Sequence, residues 1–156
     1  MSDFLAKGVK KIPTLSGIKF TDEDVAGEGK KCLQVADGTL TIFNGFDEKL
    51  QEALCVGFDS AICGSFSGFP SLAAQIFTLM REGQSEEAKR VQQTLTKHMG
   101  VIAKQTGGFN IAGLKAATSM LMGIDLGPSR LPVKPLTSSK KEELRNDLKN
   151  LGCKVF

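Results

Sequence analysis

The amino-acid sequence predicts an α/β protein in which three short parallel strands alternate with helices and an all-helical tail follows. A short apolar run followed by a polar helix-start signal occurs three times before Gly83. Strands of this kind are typical of a parallel sheet that helices cover on both faces. Beyond Gly83 the apolar residues recur with helical spacing. We therefore expect two domains, with the strand–helix units in residues 1–83 and a C-terminal helical extension in residues 84–156.

The first strand–helix unit follows a short opening helix. Four apolar residues fall on one face of that helix, and Pro13 ends it because proline cannot continue the backbone hydrogen-bond pattern. The four are Phe4, Leu5, Val9 and Ile12. Residues 15–20 are short and apolar, which predicts a strand. The Thr21-x-x-Asp24 pattern after them is typical of a capping box, so we expect the next helix to start there.

The second and third units repeat this layout. Residues 39–43 are rich in β-branched and aromatic side chains, the pair Asn44-Gly45 predicts a turn, and Asp47 can cap the N-terminus of the following helix. Residues 60–64 are the third predicted strand, and a helix is expected over residues 71–80.

The tail predicts three helices and one extended segment. A long amphipathic helix is expected over residues 85–105 and a second helix over residues 111–122. A third is expected over residues 139–151, where Ser139-x-x-Glu142 has the pattern of a capping box. The proline-containing segment 127–135 predicts an extended linker, because each proline disfavours helix in the residue before it.

Composition and charge argue against several classes of protein. Of the 156 residues, 41% are apolar and 24% are charged, and the net charge of +3 is spread along the chain, so no nucleic-acid partner is expected. With one histidine and no C-x-x-C pair, neither a metal site nor a disulfide framework is expected, and the four cysteines are interpreted as buried thiols. We find no leader and no membrane-spanning run, which predicts a soluble, cytoplasmic protein without a membrane partner.

Lys19 is the residue around which we expect any chemistry. Catalytic groups of strand–helix barrels lie where strands end, and the first strand end offers Lys19 and Thr21. An amine inside an apolar strand loses hydration, which favours the neutral form that attacks a carbonyl carbon. The protonated imine that results accepts electrons and assists cleavage of a nearby carbon–carbon bond. On local grounds alone, the more common explanation of such a lysine is an edge residue whose ammonium group reaches solvent.

Three stretches carry a family resemblance: residues 12–22 read IPTLSGIKFTD, residues 44–48 read NGFDE, and residues 127–132 read GPSRLP. Together they resemble the C-terminal half of the N-acetylneuraminate lyases, which belong with dihydrodipicolinate synthase to the class I, Schiff-base aldolases. The resemblance spans essentially the whole chain. It implies a partial (β/α)8 barrel, or TIM barrel, whose last three strands are present and are followed by the family's helical extension.

The resemblance also implies a reaction and a site. Lys19 forms an imine with the 2-keto carbon of sialic acid or pyruvate, Thr21 lies beside it, and three loop residues contact the polyhydroxylated tail of the sugar. These three are Gly45, Asp47 and Glu48. No metal or organic cofactor is implied, because the protonated imine that the lysine forms is itself the electron acceptor, and a homotetramer is implied. The acidic pair favours the sialic acid branch, since carboxylates accept hydrogen bonds from sugar hydroxyls. On local evidence, the same pair is explained as a helix cap and a first-turn acid.

Two departures from the family pattern leave alternatives open. After the eighth strand the family usually has Gly-Ser-Thr-Tyr-Asn, so its substrate-binding serine falls on Gly64 here, with Ser65 adjacent. The first five strands, the family's carboxylate-binding Gly-Thr-Thr-Gly-Glu loop and its proton-transferring tyrosine are not in this sequence, which contains no tyrosine. We therefore expect half a lyase site that is inactive alone. The alternatives are another 2-keto-acid aldolase of the family, or a non-catalytic truncated remnant that pairs with full-length subunits.

Overall fold

A computed structural model describes residues 1–108 and 110–156 of the chain. Within these residues, strands alternate with helices in the first part and helices follow in the second. The strands are β1 (Gly17–Phe20), β2 (Thr41–Asn44) and β3 (Ser60–Ala61). The helices are α1 (Ser2–Lys11), α2 (Lys30–Leu33), α3 (Leu50–Val56), α4 (Pro70–Arg81), α5 (Ser85–Thr106), α6 (Ile111–Met122) and α7 (Ser138–Asn150).

The three strands form one parallel sheet in the order β1–β2–β3. Ile18 lies opposite Ile42 in the first pairing, and Phe43 lies opposite Ser60 in the second. Neighbouring parallel strands require a crossover connection, and helical segments supply it on both occasions. The predicted α/β class with three parallel strands is confirmed.

Packing divides the chain into two compact units, each of which is described by itself. The first comprises residues 1–63 and 74–92, and the second comprises residues 64–73 and 93–156. The domain boundary expected after residue 83 thus falls inside the second segment of the first unit.

The apolar core of the first unit lies on one face of the sheet. Side chains alternate between the two faces along a strand, and Ile18, Phe20 and Ile42 point to the face that the helices cover. The buried members of this core are Leu5, Phe20, Val25, Cys32, Leu40, Ile42, Ala53 and Phe58. On the opposite face Phe43 is half-buried and Lys19 is exposed. The sheet was expected to be covered by helices on both faces, but the face that carries Lys19 is exposed at this residue.

The helical segment after β1 begins later than the sequence pattern predicts. It starts with a wide helical turn over Val25–Gly29, which continues into α2. Its N-cap is Asp24, whose two carboxylate oxygens each accept a hydrogen bond of 3.0 Å, one from Gly27 N and one from Glu28 N. The prediction that the helix starts at Thr21 is wrong, because the residue that satisfies the free amides is the aspartate three positions later.

Two other predicted caps also differ from the structure. Asp47 opens a short 3₁₀ turn, Asp47–Lys49, and α3 begins only afterwards, so Asp47 does not occupy the N-cap position of α3. At α7 the cap is Thr137, whose hydroxyl accepts a hydrogen bond of 3.3 Å from Lys140 N, rather than Ser139.

The second unit contains α6, α7 and the larger part of α5. The apolar spacing predicted for α5 is reflected in buried residues, and α6 and α7 bury apolar residues as well: Leu95, Met99, Ile102, Ala112, Leu114, Ala117, Met120, Leu144 and Leu148. His98 is buried, with its ring edge-on to Phe69 at a centroid distance of 4.9 Å and its Nδ1 2.6 Å from Thr94 O. Residues 127–135 are non-helical, as predicted. No helix among the described residues has the length and apolarity to cross a membrane.

Candidate active site at the strand ends

Lys19 lies one residue before the end of β1 and is exposed. Its neighbours Ile18 and Phe20 turn towards the covered face, so the alternation of the strand directs Lys19 away from the core. The expectation that Lys19 is desolvated inside an apolar strand is wrong for this chain. Its side chain instead lies beside the loop that follows the neighbouring strand.

Gly45 is the point at which Lys19 and Thr21 meet that loop. It directly follows β2, and its N–H donates a hydrogen bond of 2.8 Å to Phe20 O. A β-carbon at Gly45 would lie 2.6 Å from Lys19 Cε and would collide with Thr21 Oγ1. Glycine at this position leaves room for both side chains, and a β-carbon would displace the ends of the lysine and the threonine.

Asp47 and Glu48 follow on the same loop. Asp47 is 5% exposed, whereas Glu48 retains a large exposed fraction. Partial loss of hydration raises the pKa of the Glu48 carboxyl above its ordinary value, and the negative charge of Asp47 adds to the rise. Of these two adjacent carboxyl groups, that of Glu48 is exposed, and an exposed carboxylate can accept hydrogen bonds from hydroxyl groups.

Cys63 belongs to the same site, although its sequence context gives no sign of it. Burial raises the pKa of its thiol to about 12, with the charge of Asp47 as the next cause and that of Glu48 as a smaller one, while Lys19 acts in the opposite direction. The thiol thus interacts electrostatically with Lys19, Asp47 and Glu48. It stays protonated near neutral pH and is an unreactive polar group rather than a nucleophile. Of the four cysteines that were expected to be buried, only Cys32 is fully buried, whereas Cys55 is exposed and Cys63 and Cys153 are partly buried.

Asn44 and Gln92 are buried polar residues beside the loop, and no sequence pattern connects Gln92 with it. The Asn44 amide is hydrogen-bonded to Phe46 and lies 3.6 Å from Cys63 Sγ, and Gln92 donates to the main-chain oxygen of Asp47. The sequence signals near Asn44 are its NG turn pattern and the NGFDE stretch of the family resemblance. No local pattern could find Gln92, because it lies far along the chain on α5.

Gly64 and Ser65 belong to the second unit, in a 3₁₀ turn over Gly64–Ser67. Ser65 is fully buried, and its main-chain oxygen accepts a hydrogen bond of 2.8 Å from Phe69 N. Their expected part in substrate binding stays a prediction. Among the described residues, no group of three or more His, Cys, Asp or Glu side chains is arranged to hold a metal ion.

Comparison with known proteins places this geometry in a family. Residues 5–151 match the model of the Dihydrodipicolinate synthetase family. The chain is 28% identical to the N-acetylneuraminate lyase of Mus musculus over 90% of this chain and 43% of that protein. It is 29% identical to the solved N-acetylneuraminate lyase of Proteus mirabilis, with a TM-score of 0.86 over 98% of this chain and 50% of that one.

A second solved N-acetylneuraminate lyase, from Aliivibrio salmonicida, gives a TM-score of 0.85 at 29% identity, over 98% of this chain and 49% of that one. The chain thus spans about half the length of the relatives that it matches. Because the family model covers nearly all of its residues, the chain belongs to the dihydrodipicolinate synthetase family.

Proposed function

We propose that this chain carries the imine-forming part of a 2-keto-acid aldolase site, with Lys19 as the nucleophile and N-acetylneuraminate as the substrate. The observation that carries the proposal is the approach of Lys19 and Thr21 to Gly45 at two adjacent parallel strand ends. Family membership and the likeness to N-acetylneuraminate lyases support the reaction class.

In the proposed reaction, the neutral amine of Lys19 attacks the 2-keto carbon, and the keto oxygen leaves as water to give a protonated imine. The bond between the third and fourth carbons then breaks, and its electron pair enters the imine to form an enamine. The hydroxyl on the fourth carbon loses its proton as that carbon becomes the aldehyde of N-acetylmannosamine. Protonation of the enamine and addition of water release pyruvate and restore the lysine.

The substrate assignment within the family rests on the loop after β2. Asp47 and Glu48 are proposed to offer carboxylate oxygens to the hydroxyls of a sugar tail, and Gly45 leaves room for it. Gly64 and Ser65 stay proposed as substrate-binding residues on the ground of the family resemblance alone. Another 2-keto-acid aldolase activity is the alternative. The acidic pair favours the sugar, because a short aldehyde substrate has few hydroxyls for it to bind.

In this proposal β1, β2 and β3 correspond to the sixth, seventh and eighth strands of a (β/α)8 barrel, within a cytoplasmic homotetramer. The carboxylate-binding loop and the tyrosine that the resemblance implies are not among these 156 residues. We therefore expect the chain alone to form the imine without turning over N-acetylneuraminate.

Borohydride trapping tests the proposal. The purified chain is incubated with pyruvate, reduced and digested, and peptides are examined by mass spectrometry. The expected result is a pyruvate adduct on Lys19, because reduction converts the imine into a stable secondary amine. Lys19→Arg, which keeps the positive charge but cannot form this imine, should remove the adduct, whereas Lys30→Arg at another exposed lysine should leave it unchanged.

Absence of the adduct at saturating pyruvate would count against the catalytic assignment of Lys19. In that case a complex with a full-length family member, seen by co-expression and size-exclusion chromatography, would favour the non-catalytic pairing role instead.

A further inference from the structure

We infer that Asn44 and Gln92 are positioning residues, which fix the loop over residues 45–48 so that Asp47 and Glu48 meet the polyhydroxylated end of the substrate. This inference rests on the proposed function for its choice of ligand. The contacts that carry it all lie within the first unit.

Asn44 pins the beginning of the loop. Its side chain is fully buried at the end of β2, where Nδ2 donates a hydrogen bond of 2.8 Å to Phe46 O and Oδ1 accepts one of 3.2 Å from Phe46 N. The amide therefore holds both main-chain groups of a single loop residue, as a neighbouring strand would. The same Nδ2 lies 3.6 Å from Cys63 Sγ, whose thiol is 3.7 Å from Asn44 O, which joins the loop to the segment after β3.

Gln92 pins the end of the loop. It lies on α5 and is buried, with Nε2 donating a hydrogen bond of 3.1 Å to Asp47 O. Its Oε1 accepts a hydrogen bond of 3.0 Å from Gln51 N, one of the first-turn amides of α3 that have no partner within the helix. One buried amide side chain thus fixes both the loop and the start of the helix that follows it.

The two amides hold the loop without adding charge. Asp47 and Glu48 are already adjacent carboxyl groups, and a third carboxylate beside them would raise their mutual repulsion. Because these hydrogen bonds already order the loop in the free protein, sugar binding does not carry the free-energy cost of ordering it. Loss of either amide should therefore weaken binding of the sugar tail, while pyruvate, which has no tail, should be little affected.

The hydrogen bonds that Asn44 and Gln92 make with the loop and with the start of α3 are called the amide clamp. Amide hydrogen exchange tests the amide clamp directly and does not depend on any reaction. In Asn44→Ala the Phe46 amide should exchange about tenfold faster, and in Gln92→Ala the Gln51 amide should do the same. Gln93→Ala, at the exposed neighbouring position, is the matched control and should change neither amide. Gln92→Glu retains the acceptor for Gln51 N but loses the donor to Asp47 O, so it should restore protection at Gln51 only.

Trapping on Lys19 with two ligands tests the effect on binding. In Asn44→Ala the concentration of N-acetylneuraminate that gives half-maximal trapping should rise about tenfold, and that of pyruvate less than about twofold. An equal rise for both ligands would overturn the inference, because Asn44 would then act on the whole site. Unchanged exchange at Phe46 and Gln51 in the variants would overturn it as well. Failure of the unmodified chain to trap pyruvate would instead count against the proposed function. The exchange data would still show whether the amide clamp orders the loop.

Discussion

At Gly45 the missing side chain allows Lys19 and Thr21 to reach the same loop. Gly45→Ala should cost up to about 1 kcal/mol in the free energy of unfolding, because the new methyl group displaces the ends of two exposed side chains. It should also reduce trapping of pyruvate, since Lys19 must move away. Urea denaturation and the borohydride assay measure the two effects.

Gly100 provides the control for that substitution. It lies within α5, and a β-carbon there would meet no atom within 4 Å. Gly100→Ala should therefore stabilise the protein by about 0.5–1 kcal/mol through helix propensity alone. Equal effects at the two glycines would show that Gly45 is not kept for space.

The raised pKa of Glu48 predicts how stability depends on pH. A carboxyl group whose pKa is higher in the folded state binds protons more readily there, so stability falls as pH rises through the folded-state pKa. Glu48→Gln should therefore raise the melting temperature at about pH 7. The gain should vanish near pH 4 and below, where the carboxyl group is largely protonated in both the folded and the unfolded protein. Thermal melts over this range check the sign, with Glu23→Gln as an exposed acidic control.

Residue by residue, the sequence predicts which side chains are candidates better than it predicts their surroundings. Lys19 is found from its apolar strand and its motif, but its exposure depends on what covers that face of the sheet, which local sequence does not specify. Gln92 is missed for the complementary reason. Its partner Asp47 lies 45 positions away, and only the folded chain brings the two together.

The helix starts illustrate what a pattern predicts for a whole element. Thr137→Ala should cost about 1 kcal/mol, because the threonine hydroxyl satisfies a free amide of the first turn of α7. Ser139→Ala, two residues later, should cost less than about 0.5 kcal/mol, since its hydroxyl makes only an exposed hydrogen bond with Glu143. Chemical denaturation of both variants distinguishes the caps, and a larger loss at Ser139 would support the sequence-based assignment.

Elements are predictable here where a periodic pattern is long, and less so at their ends. The apolar spacing along α5 predicts its buried face, and α5, α6 and α7 all lie within one residue of their expected bounds. A cap depends on which of several nearby polar side chains reaches the free amides. At the start of the segment after β1, Thr21 and Asp24 both have suitable chemistry, and backbone geometry selects Asp24.

For the molecule as a whole, the exposed apolar surface predicts self-association. Leu131 is 87% exposed and Phe4 is 67% exposed, whereas Leu144 is fully buried. Leu131→Ala should leave the free energy of unfolding within about 0.5 kcal/mol and weaken self-association in sedimentation velocity runs. Leu144→Ala should cost about 2–5 kcal/mol, because it leaves a cavity in the interior. A purely monomeric unmodified chain at high concentration would contradict the expected self-association.

The hydrogen bond from Gln92 to the main-chain oxygen of Asp47 also has a thermodynamic consequence for α5. Coupling between two sites is reciprocal. If helix formation around Gln92 stabilises the ordered loop, then a ligand that binds the loop stabilises the helix by the same free energy. Substitutions on the solvent side of α5 that alter only its fraying would then tune affinity for the sugar tail at a distance. Helix propensity at positions that never touch a ligand would become a determinant of selectivity.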